Sequence, residues 1–137
     1  MIKVVVGIIF QDGGTPGSGS VLLAQRRESA RYALRWEFPG GKLENHEPLE
    51  ECLRRELQEE LGISAEIGPL FHHQHHVYPD AGSFDVFYYV VRKFSGEIVN
   101  HAFARWQWVP VSELQSYDIL EGNKDVVQKL IDRHAAI

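Results

Sequence analysis

Residues 38–63 read FPGGKLENHEPLEECLRRELQEELGI. Leu49, Leu53, Leu57 and Leu61 recur every four residues, which predicts a helix over 49–61 with one apolar seam. Gly62 stands where a left-handed C-cap belongs. Seven of the nineteen acidic residues fall between Glu44 and Glu60. Glu56, Glu59 and Glu60 are spaced i, i+3, i+4, so they share one stripe along the border of the leucine seam. Like charges placed this way repel by roughly a few tenths of a kcal/mol per pair. A solvated acidic face is the plain alternative, because charged side chains are mostly exposed. Three carboxylates gathered at the edge of a core instead suit a hard divalent cation, Mg²⁺ with Mn²⁺ as substitute, and not zinc. The preceding Phe38-Pro39-Gly40-Gly41-Lys42 reads as a rigid turn with two bare backbone positions, where a ligand can approach and a carbonyl can join a metal shell. Lys42 can neutralise a phosphate.

Outward from this segment, residues 4–10 are β-branched and apolar and predict a buried strand. Residues 11–20 (QDGGTPGSGS) read as a glycine-rich hairpin connection. Residues 21–25 resume as a strand, with Arg26 and Arg27 at its end, and 36–38 form a short extended piece. Residues 63–77 read as extended with a break at Gly68-Pro69. Residues 84–91 (FDVFYYVV) carry the strongest strand signal of the second half, and 106–109 form a short strand. Residues 123–134 predict a terminal amphipathic helix with Val126, Val127, Leu130 and Ile131 inward. Strands and helices mixed in one chain predict an α+β domain, a sheet covered by two helices.

Composition sets the outer limits. The chain has 137 residues, 44% apolar and 24% charged, which fits one globular domain over 1–137. The net charge is −5 and no basic tail is present, so duplex nucleic acid is not an expected partner, whereas a nucleotide needs only local positive charge. The single Cys52 excludes an internal disulfide and a multi-cysteine zinc site, reads as a small buried apolar residue, and points to the reducing cytoplasm. The opening apolar run is too short to span a bilayer and lacks a small-residue cleavage site, so neither a membrane span nor a signal peptide is expected. The run His72-His73-Gln74-His75-His76 reads as a polar, partly exposed strand. Two imidazoles per face and no cysteine partner leave a transition-metal site incomplete, and substrate contact by one of them is the alternative.

Gly41, Glu47, Arg55, Glu56, Leu57, Glu59, Glu60, Gly62 and Ile63 fit the pattern G-x5-E-x7-R-E-U-x-E-E-x-G-U, U aliphatic, at every defined position. The chain resembles the Nudix hydrolases, and among them the MutT, or 8-oxo-dGTP diphosphatase, type. The resemblance extends to Gln25-Arg26-Arg27, residues 36–42 (WEFPGGK), Tyr78-Pro79-Asp80, the strand at Trp108 and the terminal helix. It implies a Nudix fold, an α/β/α sandwich with a mixed central sheet. The implied activity is metal-dependent hydrolysis of the pyrophosphate bond of a nucleoside diphosphate linked to a further group. By the same resemblance, Glu56, Glu59, Glu60 and the Gly40 carbonyl hold Mg²⁺. Glu56, with Glu59 second, takes the proton of the attacking water. Glu47 and Arg55 brace the helix from behind. Arg27, Glu37, Phe38, Lys42, Tyr78 and Asn123 are the implied nucleotide contacts.

The chain departs from the pattern at two places. Ala102 stands where many MutT-type members carry a further glutamate, with Asp80 and His101 as candidate replacements. Pro48 stands where a capping Thr or Ser is common, and offers no side-chain acceptor. Asn123 has two readings, an N-cap of the terminal helix and an amide pairing with a purine edge. Trp108 and Asn123 are fifteen residues apart, as in MutT-type enzymes that place an asparagine at the oxidised guanine. Hydrolysis of ADP-ribose or a nucleotide sugar, of (d)CTP, or at an RNA 5′ end stays open, as does a nucleotide-binding module without catalysis. Pro79, sixteen residues after Ile63, is the feature pointing to ADP-ribose.

Overall fold

The apolar opening run becomes the spine of the protein. The structure is a computed structural model that describes residues 1–17, 19–44 and 46–135. Ser18 of the glycine-rich connection, Asn45 and residues 136–137 lie outside the described residues. In chain order the elements are β1 (Ile2–Ile9), β2 (Ser20–Gln25), β3 (Trp36–Glu37), β4 (Gly40–Lys42), α1 (Leu49–Leu61), β5 (Ser64–Glu66), β6 (Leu70–Tyr78), β7 (Gly82–Val91), β8 (Lys93–Ser95), β9 (Arg105–Pro110) and α2 (Lys124–Ala135). β1 pairs antiparallel with β4 and parallel with β7, and β6 adds antiparallel beyond β7, giving a mixed sheet in the order β4-β1-β7-β6. The single sheet expected from sequence is divided: β3-β2-β9 and β5-β8 form two further sheets among the described residues. β1 runs into β2 through a Phe10–Val21 bridge, which makes the glycine-rich connection a hairpin.

The strand period shows directly in the packing. Val6, Ile8 and Phe10 enter one apolar core, with Val21, Leu23, Val86, Tyr88 and Val90 and with Val126, Val127 and Leu130 of α2. Val5 and Ile9 enter the other, with Leu22, Ala24 and Val91 and with Cys52, Leu53, Leu57 and Leu61 of α1. The β layer therefore lies between two helices, the α/β/α sandwich. The fully buried Leu53, Leu57 and Leu61 each contribute about 1.5–3 kcal/mol by leaving water.

α1 ends as its sequence demands. Gly62 sits at φ 68°, ψ 19°, and its N–H donates to the Gln58 carbonyl at 3.0 Å. At the other end Pro48 provides no side-chain cap, and Glu50 and Glu51 in the first turn favour the helix dipole instead. The Pro39-Gly40-Gly41 segment is not a turn that stops a strand. Gly40 and Gly41 pair with Val6 and Val5 as β4. The reason is steric: a Cβ at Gly40 would stand 2.0 Å from the Val5 carbonyl oxygen, so only glycine allows this close pairing. The terminal helix starts at Lys124, and Asn123 belongs to a preceding 3₁₀ turn, Glu121–Asn123. Among the described residues, no helix is long and apolar enough to cross a membrane.

Candidate active site

The pairing of β4 with β1 lays two glycines beside the acidic stripe of α1. A Cβ on Gly41 would fall 2.2–2.5 Å from the Glu56 carboxyl atoms, so that carboxyl lies directly against bare backbone. The Gly40 N–H donates to Glu60 Oε1 at 3.1 Å. Burial, and after it the charge of Glu56, pushes the Glu60 carboxyl up to about 8. Burial also raises Glu56, with Arg55 opposing it. Glu59 is more exposed.

One guanidinium holds this edge together. Arg55 donates to Glu47 through two nitrogens at 2.6 and 3.2 Å, to Glu56 Oε1 at 3.0 Å and to Glu59 at 3.2 Å. Its hydrogen bond holds Glu47 down to about 2. Among the described residues, no three His, Cys, Asp or Glu side chains are gathered closely enough to hold a metal ion as placed. Glu56 and Glu59 are taken up by Arg55, and Glu60 by Gly40. The donor set itself, three carboxylates beside side-chain-free backbone with Glu60 raised by burial first and by the charge of Glu56 after it, fits a hard divalent cation.

A cavity of about 560 Å³ opens on the opposite side of β4. Gly40, Gly41 and Lys42 form one wall, and Val4, Val6, Val86 and Phe84 the apolar floor. Phe38, Tyr78, Tyr88, Gly122 and Asn123 line it as well. The Asn123 amide is buried; its Oδ1 accepts the Phe38 N–H at 3.0 Å. It therefore caps no helix: a contact across the molecule takes up the oxygen that an N-cap would use. Tyr32, 5.0 Å from Tyr78 between ring centroids, and Arg31 border the mouth.

The predicted residues divide between these two places. Glu56, Glu59, Glu60, Glu47 and Arg55 gather on the acidic edge, and Glu37, Phe38, Gly40, Lys42, Tyr78 and Asn123 line the cavity. Arg27 joins neither: it is exposed and donates to the His101 carbonyl at 3.3 Å. Its neighbour Arg26 lines the cavity and pairs with Glu37 at 3.0 Å. Asp80 is held at the mouth by Tyr32 and by Arg31. His101 lies along α1, its N–H donating to the Glu60 carbonyl at 2.9 Å, and Ala102 packs against the core on the α1 side. Asn100 spends its amide on the backbone of Ala102 and Phe103. Sequence reasoning missed Arg26, Tyr88 and Gly122. Tyr88 had a usable signal, since the two-residue period of β7 places it on the same face as Val86 and Val90.

Comparison with known proteins agrees with this geometry. The NUDIX domain model matches residues 1–130. The 8-oxo-dGTP diphosphatase of Escherichia coli K12 is 30% identical over 129 residues, 94% of this chain and 95% of that protein. The CTP pyrophosphohydrolase of the same organism is 33% identical over 137 residues, 99% and 96% of the two chains. The solution structure of the E. coli ORF135 protein superposes with a TM-score of 0.83 at 31% identity, covering 99% of this chain and 92% of that one. Proteins of this kind generally use a divalent metal and act on nucleotides. With the box on α1, the sandwich around it and full-length relatives in agreement, the chain belongs to the Nudix domain family and is a MutT-like pyrophosphohydrolase.

Proposed function

We propose that the chain hydrolyses the α–β phosphoanhydride of a nucleoside triphosphate, most readily one carrying an oxidised guanine, and releases a monophosphate and pyrophosphate. The observation that carries this reading is the continuity across β4. A cavity of about 560 Å³, within the range of small-ligand sites, begins at the glycines whose other side touches the acidic edge. A nucleotide with its base at Asn123 has its phosphates directed toward that strand.

Glu56, Glu59, Glu60 and the Gly40 carbonyl are the donors for Mg²⁺, with Mn²⁺ as substitute. When bound, the ion neutralises phosphate charge and lowers the pKa of a water. Glu56, with Glu59 as second candidate, would accept the proton of an attacking water. Lys42 holds phosphate charge at the cavity wall, and the Arg26–Glu37 pair lines the same cavity. Phe38 and Tyr78 flank the base. Arg55 holds Glu56 and Glu59 in place, and Glu47 holds Arg55.

The substrate choice is supported by the 8-oxo-dGTP diphosphatase relative. A second reading, (d)CTP hydrolysis, is favoured by the CTP pyrophosphohydrolase relative, which is similar over almost the entire chain. One experiment addresses both. The purified chain with Mg²⁺ is incubated with 8-oxo-dGTP, dGTP, CTP and dCTP, and products are resolved by anion exchange. Monophosphate and pyrophosphate with the highest kcat/KM for 8-oxo-dGTP are expected. A higher value for the cytidine nucleotides establishes the second reading, and absence of turnover on all four refutes the proposal.

A further inference from the structure

Among the residues that line the cavity, Tyr88 carries a hydroxyl that the proposed chemistry does not use. Tyr88 is fully buried on β7. Its hydroxyl donates to the Gly122 carbonyl at 2.9 Å and accepts from Asn123 Nδ2 at 3.0 Å. The Gly122 carbonyl also accepts from Gln74 Nε2 at 3.0 Å, so both of its lone pairs are occupied. Burial raises the Tyr88 phenol well above its ordinary pKa, which keeps the hydroxyl protonated at neutral pH.

The chemistry of the partners fixes the Asn123 amide. The Phe38 N–H can only donate, so the amide end facing it at 3.0 Å is the oxygen. An amide anchored at one end swivels about that bond, whereas an amide anchored at both ends has a fixed plane. Phe38 holds the oxygen and Tyr88 holds one N–H. The second N–H of Nδ2 is what remains for a ligand. Tyr78 lines the same cavity, and its hydroxyl accepts the Gly122 N–H at 2.7 Å, beside Asn123, so its own proton is a further donor. The cavity beside Asn123 therefore offers hydrogen-bond donors.

We infer that Tyr88 is a positioning residue: by clamping the Asn123 amide plane it makes the cavity select bases that present a carbonyl acceptor over bases that present an amino group. The inference rests on the nucleotide reading above, and binding measurements separate the two. Tyr88→Phe removes only the hydroxyl. Binding of dGMP and dAMP is measured by titration calorimetry for the parent and this variant, beside turnover of dGTP and dATP and a melting curve.

The parent is expected to bind dGMP about tenfold or more tightly than dAMP, and Tyr88→Phe to reduce that ratio to about threefold or less, since a loosely held amide no longer penalises the wrong edge. A ratio unchanged in the variant, with or without equal weakening for both nucleotides, overturns the inference and reduces Tyr88 to a packing residue. A parent without preference overturns it as well. Selective binding lost in the variant, in a parent that hydrolyses no triphosphate, refutes the proposed hydrolysis and leaves the clamp standing. Should Tyr88→Phe fail to fold, the parent's own Asn123 side-chain NH₂ resonances decide. Slowly exchanging signals that shift with dGMP and not with dAMP support the clamp, and a rapidly exchanging, unperturbed amide overturns it.

Discussion

Gly41 owes its identity to Glu56. A methyl at Gly41 would stand 2.2–2.5 Å from the Glu56 carboxyl atoms, so the side chain must leave its place. Gly41→Ala is expected to lower kcat/KM on the preferred nucleotide by about a hundredfold or more, because displacing a reacting group by an ångström has costs of this order. The melting temperature is expected to change little, since β4 keeps its pairing. Steady-state kinetics with a melting curve checks both halves. At this scale the glutamates are legible because their spacing alone puts them on one stripe. Arg26 and Arg27 are not told apart by sequence, since the two-residue period lapses where β2 ends at Gln25. The partner of Asn123 is hidden for another reason: Phe38 lies 85 residues away, and no local pattern reports a contact that only folding creates.

Helix α1 shows how a segment can be readable while the strand beside it is not. Four leucines and Gly62 predict α1 over Leu49–Leu61, and the structure ends it there. β4 is illegible because the missing side chains that suit a turn also suit a close strand pairing, and only the position of Val5 decides. Gly62→Ala is expected to destabilise the fold by about 1–2 kcal/mol, the cost of a left-handed non-glycine residue. A Cβ there meets nothing closer than 3.7 Å, so the effect is one of backbone alone and kcat should persist. Urea unfolding and kinetics measure the two. Arg55 acts across the helix rather than along it. Arg55→Lys keeps the charge but loses the planar fork that reaches Glu47, Glu56 and Glu59 together, and turnover is expected to fall about 10–100-fold. Parent-like kinetics in Arg55→Lys would show that charge suffices.

Over the molecule as a whole, the acidic edge ties stability to pH. The folded chain holds the Glu60 proton up to about 8, whereas the unfolded chain releases it near the ordinary 4.5. Between these values the folded state binds the additional proton, so metal-free stability falls as pH rises from 4.5 through 8 and levels above that. In EDTA, the parent's melting temperature is expected to drop across this window more than that of Glu60→Gln. Added Mg²⁺ should raise the parent most at the alkaline end, by mass action on carboxylates already ionised. Parallel curves for the two proteins would refute the linkage. The sandwich also divides labour. The carboxylates stand on a helix packed into one core, while Asn123, Tyr88 and Phe38 belong to the other side of the β layer, and the glycines of β4 border both. On the proposed reading, substitutions in the second core alter which base is read and leave the chemistry lodged in the first undisturbed. Selectivity and reaction so housed are two modules, each open to change while the other stays as it is.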